Sequence, residues 1–165
     1  MLREWTIELL DADDYPPETG RTYRENARGK ARYGHNLAPS EWVLGEDSGI
    51  EVVALGGRPG VSSARWAPDP VAALLAELDG VPDRRARYVC ELVAISPQGS
   101  ELAARGTLAG TIALEPRGSE GFGYDPIFVP VGDRRTVAEL GDAWKRAHSH
   151  RARAAEAFRA ALGAS

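Results

Sequence analysis

Apolar and polar positions show two different periodicities at the start of the chain. The segment Trp5-Thr6-Ile7-Glu8-Leu9-Leu10 places apolar residues at every second position, which predicts a strand. Asp11–Gly20 is rich in acids and contains two adjacent prolines, so it is predicted to be a loop. Thr22–Tyr33 repeats tyrosine or alanine at every fourth position and begins with Thr-x-x-Glu, the spacing of a capping box. This four-residue periodicity predicts a helix.

Glu46 and Asp47 form an acidic pair between two apolar runs, Trp42–Leu44 and Ile50–Leu55. Because Ser48-Gly49 follows the pair, the pattern predicts two strand-like segments that meet at a polar turn. A carboxylate at the end of a buried strand is held rigidly and still meets water, which suits a metal ligand or a general base. The alternative is a hairpin turn in which Asp47 only accepts hydrogen bonds from nearby backbone N–H groups. The pattern leaves both interpretations open.

The rest of the chain contains segments with helical spacing and segments typical of strands. Helical spacing predicts a core-facing helix over Asp69–Leu78, a short helical piece over Thr136–Leu140 and a longer helix from Ser149 to Leu162. Two strands are predicted over Arg87–Ile95 and Glu101–Leu114, with a turn between them. The first of these strands is largely apolar, as a central strand of a sheet would be.

Phe122 lies on a glycine-rich loop, Gly118–Phe128, at the entry to another apolar strand. The glycines on either side deny it the packing neighbours of a core aromatic. Such a ring is well placed to stack on a planar ligand, a contact worth about 1–3 kcal/mol for a nucleobase. The alternative is a turn whose aromatic side chain folds back onto the core.

Ser149 is a good helix N-cap, which places His150 and Arg151 in the first helical turn. Basic residues are unfavourable at the positive end of a helix dipole unless something compensates. Their position therefore favours ligand contact over a purely solvated role.

Composition narrows the class of protein. The 165 residues, of which 43% are hydrophobic, predict a single domain over residues 1–165. A net charge of −4 gives no sign of nucleic-acid or membrane binding. Cys90 is the only cysteine, which excludes an intrachain disulfide. With no apolar run of membrane-spanning length, the sequence predicts a cytoplasmic protein.

Charge is nevertheless uneven along the chain. Residues 1–20 are mainly acidic and residues 134–159 mainly basic. We expect such a chain to bind a metal ion and a polyanion together.

Five blocks, in order, resemble the Ham1-like pyrophosphatases of non-canonical purine nucleoside triphosphates, also called inosine triphosphatases. The blocks are Glu25-Asn26-Ala27-x-x-Lys30-Ala31, Glu46–Gly49, Gly57-x-Pro59-Gly60-Val61-x-Ser63-Ala64-Arg65-Trp66, Gly121–Phe128 and Ser149-His150-Arg151. The resemblance implies an α/β fold with an elongated mixed sheet and flanking helices, and a homodimer. It further implies Mg²⁺-dependent hydrolysis of ITP, dITP and XTP to the monophosphate and pyrophosphate.

The resemblance also implies roles for individual residues. Asp47 would be the metal-binding general base and Ser48 a substrate contact. The implied base-binding loop and further substrate contacts are Phe122, Gly123, Tyr124, Asp125, Lys145, His150 and Arg151. For the second metal carboxylate, Glu18 fits the family position best, and Glu25 is the alternative because its capping role competes.

The family opens with a strand and a Thr/Ser-x-Asn-x-x-Lys loop that cradles the triphosphate, and the resemblance here begins after that loop. We therefore expect an N-terminally shortened version of the fold. The alternative function is a catalytically impaired nucleotide-binding remnant of the same family, and an ordinary α/β dimerisation domain is a third possibility.

Overall fold

The computed structural model describes residues 6–12 and 14–163, and within them one sheet is flanked by helices. The helices are α1 (Tyr23–Leu37), α2 (Pro70–Glu77), α3 (Val137–His148) and α4 (His150–Gly163), and the strands are β1 (Val43–Val52), β2 (Arg85–Ile95), β3 (Glu101–Ile112) and β4 (Phe128–Pro130). Short 3₁₀ turns occupy Val53–Leu55, Gly60–Arg65 and Asp125–Ile127. The strands follow the order β1-β2-β3-β4 across the sheet, and β3 pairs with β4 antiparallel. One sheet with flanking helices confirms the predicted α/β class. None of the helices in these residues combines the length and apolar character of a membrane span.

The predicted N-terminal strand is wrong. Residues 6–10 have no regular structure, and Ile7 and Leu9 are 76% and 96% exposed; Trp5 lies outside the described residues. An alternating pattern stabilises a strand only where a sheet accepts its backbone and buries one face. The sheet formed by the described residues does neither for this segment.

Helix α1 begins as predicted and runs further, to Leu37 instead of Tyr33. The Thr22 hydroxyl accepts a hydrogen bond from the Glu25 backbone N–H at 3.1 Å. The Glu25 carboxylate, however, accepts from the Arg21 backbone N–H at 2.7 Å. The first half of the predicted capping box is therefore present, and the glutamate caps the N–H one residue before Thr22.

Strand β1 is continuous from Val43 to Val52, so the predicted polar turn at the acidic pair is wrong. Asp47 lies buried within the strand, because donors on α1 satisfy its carboxylate and a turn is not needed. Gly45 lets the helix come close: a Cβ added there would meet the Ala27 carbonyl oxygen and lie 2.7 Å from the Ala31 nitrogen.

The described residues form two compact units, and the first lies within the ranges 1–47, 90–106 and 153–165. In this unit β2 is buried on both faces, which confirms the predicted central strand. One cluster joins it to β3 and α4 through Cys90, Leu92, Ala94, Ala104, Ala154 and Phe158. Another joins it to β3 and α1 through Ala27, Ala31, Val93, Ile95 and Ala103. The single domain expected from the sequence stays a prediction.

The second unit comprises residues 48–89 and 107–152. Its core includes Ile50, Leu74, Leu78, Tyr88, Leu108, Ile112, Ile127, Phe128 and Val137. Helix α2 forms where predicted, and the Asp69 side chain caps it by accepting from the Ala72 N–H at 3.0 Å. Helix α3 starts with the Thr136 capping box but continues to His148, beyond the predicted piece, through a kink at Gly141.

We predict opposite effects for two glycine-to-alanine substitutions in the first unit. Gly45→Ala forces a methyl group against the backbone of α1, so the free energy of unfolding falls by about 1–3 kcal/mol. Gly29 lies within α1, and no atom lies within 4 Å of the position that a Cβ would take there. Gly29→Ala therefore raises the free energy of unfolding by up to about 1 kcal/mol. Urea denaturation measures both. Equal unfolding free energies for Gly45→Ala and the parent would contradict the close approach.

Candidate active site

Asp47 is a buried carboxylate held by two donors from α1. The Asn26 side-chain amide donates to Oδ2 at 3.0 Å, and the Lys30 ammonium donates to Oδ1 at 3.3 Å. Asn26 and Lys30 lie one helical turn apart and therefore share a face of α1. Burial raises the pKa of Asp47, while the Asn26 hydrogen bond and the Lys30 charge act in the opposite direction. The carboxylate is thus rigid, and it depends on its partners to remain ionised.

Glu18 shares a cation with Asp47, whereas Glu25 does not. The Glu18 carboxylate lies 2.5 Å from the Lys30 ammonium, so Lys30 bridges the two acids. Glu25 instead points to the backbone of Arg21 at the start of α1. Both glutamates line one pocket of about 230 Å³, together with Pro16, Pro17, Thr19, Gly20, Asn26, Gly29 and Lys30. The geometry favours Glu18 as the partner of Asp47.

The donor set of this acidic group fits a hard divalent cation. Mg²⁺ is usually bound through one or two carboxylates, with waters and substrate phosphates as the other ligands. The Lys30 ammonium already places one positive charge against Glu18 and Asp47. In the described part of the chain, no three His, Cys, Asp or Glu side chains are grouped to hold a metal by themselves. A metal held here would therefore take part of its coordination from water or a ligand.

Phe122 and two cations form part of a second group, in the other unit. The Phe122 side chain is 63% exposed, so the interpretation in which it folds back onto the core is wrong. The Lys145 ammonium lies 3.6 Å from the centre of its ring, and the Arg151 guanidinium carbon lies 5.4 Å from it. Arg151 also donates to the Ser48 hydroxyl at 2.7 Å. Four predicted substrate contacts are therefore brought together.

Asp125 is the buried acceptor at the centre of this second group. It is 2% exposed and receives three donors. The Tyr88 hydroxyl donates to Oδ1 at 3.1 Å, the Phe122 backbone N–H donates to Oδ2 at 2.9 Å, and the Lys145 ammonium donates to Oδ2. One carboxylate thus connects β2, the glycine-rich loop and α3.

Tyr124 turns into the core. Its side chain is buried, and its hydroxyl donates to the Ser63 carbonyl oxygen at 3.0 Å. Burial raises the pKa of Tyr124 to about 12, so the hydroxyl stays protonated. Any contact of Tyr124 with a ligand in this conformation comes from its backbone. Gly123 beside it adopts a left-handed conformation, with φ of 59°, that favours glycine.

His150 is buried at the start of α4, where Ser149 caps the helix as predicted by accepting from the Ala152 N–H at 3.2 Å. Its ring stacks on Tyr88, with centroids 4.6 Å apart and an angle of 13°. Burial, followed by the charges of Arg151 and Lys145, lowers the pKa of His150 to about 3. The imidazole is therefore neutral near pH 7. Within the described residues, its Nδ1 atom is buried without a hydrogen-bond partner.

Sequence reasoning missed Tyr88 as a member of the second group. It lies in the apolar run of β2, which suggested only a central strand. The usable signal was its hydroxyl, because a tyrosine within a buried strand needs a hydrogen-bond partner. The interaction of Asn26 with Asp47 was likewise not predicted, although its spacing to Lys30 marked a common face.

We predict that His150 makes the chain less stable in acid. Its pKa is lower in the folded chain than the unfolded value of 6.5, so the unfolded state takes up the proton first. The contribution of the neutral His150 to the free energy of unfolding is fully present above pH 6.5. It is lost as the pH falls from there toward 3, by at most about 1.4 kcal/mol per pH unit. Urea denaturation at pH 7 and pH 5 should show a smaller loss for His150→Gln than for the parent. An equal loss in both chains would contradict the buried, neutral imidazole.

The comparisons with known proteins agree with one another. The model of the Ham1 family matches residues 1–161. The chain is 49% identical over 158 residues to the dITP/XTP pyrophosphatase of Mycobacterium tuberculosis, covering 90% of this chain and 76% of that protein. It is 44% identical over 150 residues to the dITP/XTP pyrophosphatase of Bdellovibrio bacteriovorus, covering 86% and 75% respectively.

Solved structures give the same result. The Ham1 protein of Staphylococcus aureus superimposes with a TM-score of 0.86 at 37% identity, covering 92% of this chain and 82% of that chain. The HAM1 protein of Coxiella burnetii gives a TM-score of 0.83 at 36% identity, with the same coverage. Family model, sequence identity and fold lead to one conclusion: the chain belongs to the Ham1 family.

Proposed function

We propose that this chain hydrolyses the non-canonical purine nucleoside triphosphates ITP, dITP and XTP to the monophosphate and pyrophosphate. The observation that carries the proposal is the Asp47 carboxylate, buried in β1 yet held by Asn26 and Lys30 and linked through Lys30 to Glu18. The names of the relatives, dITP/XTP pyrophosphatases, support the substrate class.

The acidic group supplies the chemistry at the phosphate end. Asp47 and Glu18 would hold Mg²⁺, and the bound cation would neutralise phosphate oxygens and make the attacking water more acidic. Asp47 accepts a proton from the attacking water as the water oxygen bonds to the α-phosphorus. The bond between the α-phosphorus and the oxygen that bridges it to the β-phosphorus breaks, and pyrophosphate leaves. Asn26 donates to Oδ2 and orients the carboxylate, so the accepting oxygen is Oδ1, which in this structure also accepts from the Lys30 ammonium at 3.3 Å.

The second group supplies base recognition. Arg151 and Lys145 carry only hydrogen-bond donors, which can satisfy the 6-keto oxygen of a deaminated purine. The 6-amino group of adenine would place donors against donors. A site that depends on such a bond can reject the wrong base by up to about 10⁴-fold. The exposed ring of Phe122 offers a stacking surface for the purine.

The resemblance supports three further parts of this proposal. The metal is Mg²⁺, the active form is a homodimer, and the protein works in the cytoplasm on the nucleotide pool, where it removes deaminated purines before they enter DNA or RNA. Each of these stays a prediction.

We predict that Asp47→Asn lowers the rate of pyrophosphate release from dITP with Mg²⁺ by at least about 100-fold, because the amide accepts no proton and ligates Mg²⁺ weakly. A coupled pyrophosphate assay measures the rate. Glu51→Gln is the matched control, since it removes another carboxylate of β1, which pairs with Arg87 at 2.7 Å. It should retain the parental rate.

Two results would count against the proposal in different ways. Equal release by the parent and by Asp47→Asn would remove Asp47 as the base. Binding of inosine nucleotides without release by the parent would support the catalytically impaired nucleotide-binding remnant instead.

We predict that the two glutamates separate by their effects. Glu18→Gln should raise the Mg²⁺ concentration needed for half-maximal rate, because Glu18 and Asp47 lie close enough to contact the same Lys30 ammonium. Glu25→Gln should leave this requirement unchanged and lower the free energy of unfolding by about 1 kcal/mol or less, because its carboxylate caps α1. Mg²⁺ titrations and urea denaturation of both variants measure these effects. The reverse pattern would assign the metal to Glu25.

A further inference from the structure

Tyr88 is a buried tyrosine on β2 that touches two parts of the second group at once. Its hydroxyl donates to Asp125 Oδ1 at 3.1 Å. Its ring stacks on His150 at 4.6 Å, and it also packs against Phe128 at 4.4 Å. The residue is only 7% exposed and belongs to the core of the second unit, so both contacts lie away from bulk water.

We propose that Tyr88 is a positioning residue for base recognition, which fixes the Asp125 carboxylate through its hydroxyl and the His150 imidazole through its ring. This inference rests on the proposed function of the second group.

The hydroxyl fixes which oxygen of Asp125 meets which donor. With Tyr88 on Oδ1, the other oxygen is left for the Phe122 backbone N–H and the Lys145 ammonium. Without the hydroxyl, Oδ1 loses the donor that the described residues give it, and only the two donors on Oδ2 hold the carboxylate. The glycine-rich loop and Lys145 would then share a less firmly oriented acceptor. Burial, followed by the charge of Asp125, raises the pKa of Tyr88, so the hydroxyl remains a donor at all working pH values.

The ring has a separate effect. An angle of 13° between the two planes means that Tyr88 sets the plane of the His150 imidazole. Arg151 follows His150 in the chain, and its Nη1 lies 3.5 Å from the imidazole Nε2. Tyr88→Phe therefore tests the hydroxyl alone, because it retains the stacked ring. Tyr88→Leu removes both.

The experiment measures the binding of the two products, dIMP and pyrophosphate, separately. Tyr88→Phe should weaken the binding of dIMP, measured by calorimetry, by about three- to tenfold, as for the loss of one hydrogen bond. KM for dITP should rise by the same factor while kcat stays within about twofold, because base binding is lost equally before and during reaction. Inhibition by inorganic pyrophosphate, which has no base, should not change.

Tyr33→Phe is the matched control. It makes the same chemical change on α1, where the Tyr33 ring lies near Tyr15 and outside both groups. It should bind dIMP as the parent does. Tyr88→Leu should weaken dIMP binding further than Tyr88→Phe, and thermal melting must show that it folds.

Parental dIMP affinity in Tyr88→Phe would overturn the proposal, and so would an equal loss of pyrophosphate inhibition, since that would indicate a general structural role. These results differ from failure of the proposed function, in which the parent itself releases no pyrophosphate from dITP. The dIMP comparison still tests Tyr88 in that case. Absence of dIMP binding by the parent would overturn both.

Discussion

A carboxylate that is buried away from water needs hydrogen-bond donors, and the candidate functional group in each unit of this chain contains such a carboxylate. Asp47 and Asp125 are 5% and 2% exposed. An unpaired ionised carboxylate in such a setting would cost several kcal/mol. The first unit satisfies Asp47 with two side chains of α1, and the second satisfies Asp125 with Tyr88, Lys145 and a backbone N–H. Both carboxylates thereby fix the elements that carry the other candidate site residues.

Close packing makes this pairing possible, and glycine provides it in both units. At Gly45 the backbone of α1 comes near enough that Asn26 and Lys30 reach Asp47. At Gly121 a Cβ would meet the Asp125 carboxylate, and φ is 80°, so only glycine fits without strain. In each case the small residue and the buried acid belong to one short segment of sequence.

Periodicity predicted the elements whose local pattern and tertiary setting agree. Asp69–Leu78 and Arg87–Ile95 were recognisable because their large apolar residues pack against a core. The pattern failed at β1, where an acidic pair suggested a turn, because the donors that allow a buried carboxylate in a strand lie 17 and 21 residues away. It also failed at residues 6–10, where alternation occurs without a sheet partner in the described structure. Long-range partners are the information that a local pattern lacks.

The two lysines differ in a way that fits different tasks. The Lys30 side chain is 28% exposed, and its partner Glu18 is 27% exposed, so water can reach this bridge. A divalent cation at the two acids would compete with the ammonium for the same oxygens. The Lys145 side chain is 13% exposed, and its partner Asp125 only 3%, so this pair is largely sealed. A sealed pair keeps its geometry, because breaking it would strand a buried charge. Under the proposed function, the water-accessible bridge would hold the metal, whereas the sealed pair would keep the base-recognition group in place.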